Sequence, residues 1–203
     1  MTTGEGGLAL VLAMMVAGLL AALGMSLLLV ADTERRVSAN AGFSSEALAA
    51  AEAGVERVMI DLGGAPNWDG ILGGSSVSGF ADGTRRPALP SGGVLDLDAE
   101  TLDLQSESSA QGTVGPNTPL WRLFAWGPLS KMEPLALQSP LYLAVWIADD
   151  PAEVDGNPGV DTNGMATVHA DARGPGGARR IVEATVARVA SGAVKMVSWR
   201  EVR

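Results

Sequence analysis

The spacing of apolar positions changes character along the chain, and each change predicts a different element. From Leu8 to Ala31 the sequence LALVLAMMVAGLLAALGMSLLLVA runs 24 residues without a charge and without a polar face. As a helix rising about 1.5 Å per residue it would reach roughly 36 Å, more than the ~30 Å hydrocarbon core of a bilayer. A soluble core helix is polar on one side, and a cleaved secretory signal has a shorter apolar region behind a basic stretch. The run fits neither and reads as a retained transmembrane helix. Residues 43–62 then place Leu48, Ala51, Val55, Val58, Met59 and Leu62 at helical spacing, with Glu46, Glu52, Glu56 and Arg57 mostly on the other faces. Gly63-Gly64 and Pro66 stop that helix. With one weak point at Asn40-Ala41-Gly42, the two stretches join into a single long helix, lipid-compatible all round at first and amphipathic afterwards.

The pattern beyond the helix is looser. Gly63 to Pro90 reads as an extended connection that Trp68, Ile71, Leu72 and Phe80 can pin down, and a short strand is expected near Val94–Leu104, with Leu95 and Leu97 on one face. Period-two alternation is stronger later. Leu120–Trp126, Leu141–Ala148, Met165–Ala172, Arg180–Val189 and Val194–Val202 read as strands, with turns at Arg173–Ala178 and Ser191-Gly192. In the third of these, Ala166, Val168, Ala170 and Ala172 share one face, and Thr167, His169 and Asp171 share a polar one, where His169 is expected to be exposed. The fold class is therefore α+β: a long N-terminal helix packed on a C-terminal antiparallel sheet. The divisions are a short leader (1–7), a transmembrane half-helix (8–31), an amphipathic half-helix (32–62), a variable loop-rich region (63–119) and a sheet domain (120–203).

Composition narrows the function. The 203 residues carry 14 Lys+Arg against 23 Asp+Glu, a net charge of -9, which argues against a nucleic-acid partner. The absence of cysteine excludes disulfides, zinc–thiolate sites and thiol nucleophiles, and the single histidine excludes a multi-histidine metal cage. Residues 90–164 hold eleven acids and two bases, whereas residues 165–203 hold three acids and seven bases. Opposite poles of this kind help one subunit dock on another, although a solvated face is the ordinary reason for any single charge.

One acidic stretch is a candidate site. Asp149, Asp150, Glu153, Asp155, Asn157, Asp161 and Asn163 put seven carboxylate or amide side chains within 15 residues, between two expected strands. Calcium takes six to eight hard oxygen ligands in irregular loops, so calcium is the one cofactor the sequence suggests. The spacing is not that of an EF-hand, and the same residue types are the ordinary residues of turns. No catalytic constellation accompanies it. His169 has Asp171 nearby but no Gly-x-Ser-x-Gly elbow, and Gly174-Pro175-Gly176-Gly177 lacks the Lys-Ser/Thr and the helix of a phosphate loop. Trp121, Trp126, Trp146 and Trp199 read as core or interface anchors, and the chain is not expected to be an enzyme.

Two segments carry a resemblance. Gly7-Leu8-Ala9-Leu10-Val11-Leu12 at the head of the apolar run, and Ala50-Ala51-Glu52-Ala53-Gly54-Val55-Glu56-Arg57 on the amphipathic half, make the first 60 or so residues similar to type IV pilins and pseudopilins, most closely to PilX-type minor pilins. That resemblance implies cleavage by a prepilin peptidase after Gly7, leaving Leu8 as an N-methylated terminus, with Gly4 as the competing position. Most major pilins have a glutamate five residues into the mature chain. Leu12 stands there instead, as in PilX-like and tip-pseudopilin branches, and the leader lacks the usual basic residues. The resemblance further implies a single pass through the inner membrane with the N-terminus cytoplasmic, followed by assembly with other pilins into a periplasmic or extracellular filament. Gly18, Ala21, Ala22 and Gly24 would let helices approach closely in the filament core. Arg35 and Arg36, after the span, favour the opposite orientation under the positive-inside rule. The expected role is assembly, initiation or tip function, with adhesion as one outcome. A type II secretion tip pseudopilin, or a single-span membrane protein with an external β-rich ligand- or calcium-binding domain, remains open.

Overall fold

The computed structural model describes residues 5–89, 92–110, 115–132 and 138–202. Gly4, with the rest of residues 1–4, and Glu133, one of the eleven acids of residues 90–164, lie outside them. The fold is α+β. Helix α1 spans Glu5–Gly64, and the chain divides into two compact units, Met1–Gly42 and Phe43–Arg203.

The first unit is helix alone. Its large apolar side chains from Leu8 to Val37 are 51–72% exposed, and a window of it reaches a mean hydropathy of 2.5 with none of its residues buried. This helix, near the N-terminus, is long and apolar enough to cross a membrane. Its two internal hydroxyls do not interrupt it. Ser26 and Thr33 donate to the carbonyls of Ala22 and Leu29, one turn back, so neither presents a free donor.

The second unit is a five-stranded antiparallel meander in the order β1-β2-β3-β4-β5: β1 Arg122–Pro128, β2 Tyr142–Asp149, β3 Met165–Arg173, β4 Arg179–Arg188 and β5 Val194–Val202. The five expected strands are present within a few residues of their expected ends. Alternation gives the sheet two faces, and each is covered. On one, Ala47, Ala50, Ala51, Val55, Val58 and Leu62 of α1 pack against Leu143, Val145 and Ile147 of β2 and the alanines and valines of β3 and β4. The Ala-Ala-Glu-Ala-Gly block now has a mechanical reason. A Cβ on Gly54 would stand 3.0 Å from both Leu143 Cδ1 and Val145 Cγ2, so the small residues let the helix lie close on β2. Glu52 and Glu56 face solvent. The helix ends where expected, at Gly64, and carbonyls of its last turn and of the residues just after it are met from outside. Trp68 Nε1 donates to Leu62 O (3.1 Å), and the Arg188 guanidinium lies over the Trp68 ring while donating to Ala65 O and Pro66 O. Trp68, Ile71, Leu72 and Phe80 are buried in this same core, as anticipated.

The second face corrects two expectations. The strand expected near Val94–Leu104 is not one: Leu97–Ala110 is a helix, α3, following the single-turn α2 (Asp69–Leu72). Asp96 caps it, its Oδ1 accepting from Ala99 N (3.1 Å), and Asp98 and Glu100 lie in its first turn, where acids suit the helix dipole. Leu97 and Leu104 recur seven residues apart and face the sheet, with Thr101 between them, while Leu102 is exposed. The Leu-Asp-Leu-Asp alternation was too short to outweigh that cap and spacing. Under α3 lies a second core of Leu95, Leu97, Trp121, Leu123, Trp126, Tyr142, Ala144, Trp146 and Ala148. A bulge in β1 between Leu123 and Ala125 keeps Leu123 and Trp126 on this face although they are three residues apart. His169 is consequently buried, not exposed. The polar side of β3 has a cover that its own pattern does not announce.

Beside β1 the connection from α1 adds a short parallel rung. Ser78 N donates to Phe124 O, Trp126 N to Phe80 O, and Asp82 N to Trp126 O, which occupies that edge of the sheet. At the other edge β5 presents Met196, Val197 and Trp199 partly exposed.

Candidate functional site

The connection from β2 to β3 gathers the acidic residues singled out in the sequence, but it sorts them. Asp149 ends β2 and Asp161 precedes β3. Together with Glu153 each offers a carboxylate oxygen, and the three atoms lie within 4.8 Å of one another. Asp149 and Glu153 are buried, Asp161 half-buried. Asp149 Oδ1 accepts from Asp150 N (2.9 Å) and Oδ2 from Asn117 Nδ2 (2.6 Å). Glu153 Oε1 accepts from both the backbone N–H (2.6 Å) and the hydroxyl of Thr162, whereas Glu153 Oε2 is buried without a partner among the described residues. Asp161 Oδ1 accepts from Gly164 N (2.6 Å).

Burial pushes the Asp149 carboxyl up to about 7, and the neighbouring Glu153 raises it further against the opposing bonds from Asp150 N and Asn117. Asp161 is also raised, again chiefly by burial, with Arg188 working against the shift. Gathering carboxylates away from water disfavours their charged forms unless a proton or a cation compensates.

The other four sequence candidates serve the loop. Asp150 accepts from Asn163 Nδ2 (2.6 Å) and from Ala152 N. Asp155 accepts from Asn157 N and Asn157 from Gly159 N, both as exposed turn residues. Asn163 Oδ1 accepts from Met165 N. Asp149, Glu153 and Asp161 also accept backbone N–H groups of this loop, but they differ from these four in bringing their carboxylates together.

Asn117 was not singled out from the sequence. It comes from the segment before β1, 32 residues ahead of Asp149, and is fully buried, with Nδ2 on Asp149 and Oδ1 without a partner among the described residues. No spacing rule connects the two. The single local sign is Gly115, where a Cβ would meet Pro151 O at 1.7 Å, so that only glycine lets this segment reach the β2–β3 connection.

A groove of ≈840 Å³ opens beside α3 on the second face of the sheet, and its floor includes Trp121, Trp146, His169, Asp171 and Arg179. His169 and Asp171 do not form a dyad. His169 Nδ1 lies 3.0 Å from Glu183 Oε1, and its ring sits edge-on between Trp121 and Trp146, each centroid 5.8 Å away. Asp171 instead holds Arg173 and Arg179, both of which also approach Glu100 of α3. Burial raises the Glu183 carboxyl, but the bonds from His169 and Arg200 outweigh it and hold it below the ordinary value. Each charged group in the floor is thus matched to another.

The remaining sequence candidates lie on the first unit. Gly7 and Leu8 are in the opening turns of α1 and exposed. Helical geometry puts Gly18, Ala21 and Ala22 on one face, with Gly24 beside Ala21. A Cβ at Gly18 or Gly24 would meet nothing within 4 Å. No family model, curated protein or solved structure matches this chain.

Proposed function

We propose that the chain is a minor pilin or pseudopilin, PilX-like, that enters a type IV pilus or a related envelope filament through the N-terminal part of α1. The observation that carries this reading is the apolar helix from Leu8 to Ala31, none of it buried, continuous in sequence with a half-helix whose small residues seat it on an antiparallel meander. A helix apolar on every side is stable in lipid, and it can leave lipid only where other apolar helices surround it. Gly18 and Ala22, one turn apart, suit the close helix contacts that such a filament core requires. In this reading the protein waits in the inner membrane with its N-terminus cytoplasmic. It is cut by a prepilin peptidase after Gly7 and joins other pilins outside the membrane, in initiation, assembly or at the tip. Leu12, where most pilins have glutamate, agrees with a subunit used once or rarely.

Mass spectrometry of the protein isolated from its native membrane tests this. The expected species begins at Leu8 and carries an N-methyl group. A chain with Met1 intact overturns the proposal and favours the second reading, a single-span protein that displays a ligand-binding domain. The groove beside α3, which lies wholly within the second unit, is the feature that supports that alternative.

A further inference from the structure

We propose that the groove beside α3 binds an aliphatic polyamine, its ammonium groups held by Asp103 and Glu107 of α3 and by His169 Nε2 on the floor. The groove lies wholly within the second unit, so the proposal does not depend on whether the chain joins a filament.

Three features carry it. The first is a charge count that does not close. Six acids and two bases line the groove. Arg200 pairs with Glu183, Arg179 and Arg173 with Asp171 and Glu100, and Arg180 with Glu201. Asp103 and Glu107 have no base in ion-pair reach among the described residues. They stand one turn apart on α3, about 5–6 Å between Cβ atoms, on the stripe that Glu100, Leu104 and Ser108 complete along the groove wall.

The second feature is a buried acceptor independent of those acids. His169 is 7% exposed and lines the groove. Its Nδ1 faces Glu183 Oε1, and because a carboxylate only accepts, the proton of the neutral ring sits on Nδ1. Trp121 and Trp146 flank the ring. Nε2, at its outer end, keeps a lone pair and has no hydrogen-bond partner among the described residues. A polar atom so enclosed calls for a donor. The third feature is an apolar strip beside these groups. Ile181 and Val202, opposite one another on β4 and β5, are half-buried in the floor, and Leu104 is half-buried in the wall.

These features select the ligand. The three unmatched groups accept, so the ligand donates, and two of them are negative, so it is a cation. Trp121 Nε1 is also unpaired, but it is closed off from solvent and takes no part. A neutral sugar would leave both charges uncompensated, and a bare metal ion would leave the apolar strip unused. Ammonium groups on a polymethylene chain satisfy both, since such chains lie along apolar surface while their charged ends reach polar partners. At ≈840 Å³ the groove falls within the range of small-molecule sites, about 300–1,000 Å³.

Calorimetric titration of the full-length chain in non-ionic detergent with spermidine tests this, at low salt and again at about 0.15 M. Spermidine should bind once, and less tightly at the higher salt. Asp103→Asn combined with Glu107→Gln changes two exposed side chains that make no hydrogen bond among the described residues, so the fold should melt as before. It should weaken binding by on the order of tenfold. Glu52→Gln combined with Glu56→Gln, an exposed pair of the same spacing on α1, should leave binding unchanged. His169→Phe, which keeps a ring between the two indoles and removes the acceptor, should also weaken it. No heat at about 10 mM spermidine, more than tenfold above the weakest binding usually counted as specific for such cations, overturns the proposal. An equal loss in the α1 pair overturns it too, because the attraction would then be diffuse charge. Tighter binding of trilysine than of spermidine overturns the choice of a free amine and makes the partner a basic peptide.

Discussion

The two faces of the sheet are built from the same strands but held by different forces. Against α1, β2, β3 and β4 present Leu143, Val145, Ile147, Val168, Val182 and Val186 with interleaved alanines. Against α3 and the Trp121 segment the same strands present Tyr142, Trp146, His169, Asp171 and Glu183. The first face is secured by volume, since close-packed aliphatic groups gain from contact in every direction. The second is secured by direction, through Trp146 Nε1 donating to Thr101 Oγ1 (2.7 Å), Trp121 N donating to Gln105 Oε1 (3.0 Å), and the Asp171–Arg173–Glu100 pairs. A defect should therefore cost by cavity size on one side and by unpaired polar groups on the other.

The largest effect is expected on the aliphatic face. Leu143 is fully buried in contact range of Gly54, and Leu143→Ala should lower unfolding stability by about 2–5 kcal/mol, read from denaturant titration of tryptophan fluorescence. Gly54→Ala should itself destabilise, by about 1–3 kcal/mol, because its Cβ would meet Leu143 and Val145 at 3.0 Å. Combined, the two should cost less than their sum, since the new methyl fills part of the space that leucine leaves. Strict additivity would mean that shape does not hold this face.

A smaller effect is expected across the sheet. Trp146→Phe keeps an aromatic ring but loses the donor to Thr101, and should cost about 1–2 kcal/mol. Thr101→Val should cost a similar amount by leaving the indole N–H unpaired. The double substitution should again fall short of the sum, because once both partners are gone neither is stranded. If Trp146→Phe is neutral, the second face is held by area as the first is, and the contrast fails.

The first face was legible in the sequence, and the second only in its anchors Trp121, Trp126 and Trp146 and in the shared face of Leu95 and Leu97. Ala166, Val168, Ala170 and Ala172 declare a buried face by alternation, and the stripe through Val55, Val58 and Leu62 declares the helix that covers it. On the reverse of β3, Thr167, His169 and Asp171 show the composition of a solvent face. They are enclosed only because a helix from the loop-rich region and Trp121 settle over them, and period two in one strand carries no information about what lies above it. The helix itself was masked by Leu95-Asp96-Leu97-Asp98, a strand-like fragment whose Asp96 turned out to be a cap. The acidic cluster was half legible. Its carboxylates are concentrated in one loop, but which three converge depends on how the loop closes. Asn117 reaches them through chain that is remote in sequence.

The smallest effect tests whether the charges of the second face contribute at all, and pH separates them from packing. Glu183 is the group to follow, because His169 and Arg200 face it and their hydrogen bonds hold its carboxyl below the ordinary 4.5 despite burial. A carboxyl depressed in the folded state adds stability above its unfolded pKa, and that stability is lost as pH falls through the folded value. Glu183→Gln keeps the shape and removes the charge. It should therefore be less stable than the parent chain at pH 7, by about 1 kcal/mol for a partly exposed pair. The gap should narrow as pH falls below about 4.5 and close once the parent carboxyl is protonated in the folded protein as well. Melting curves of the two proteins at several pH values would show this convergence. A gap that stays constant down to acid pH would mean that the glutamate acts through its shape, and that the second face is held by packing after all.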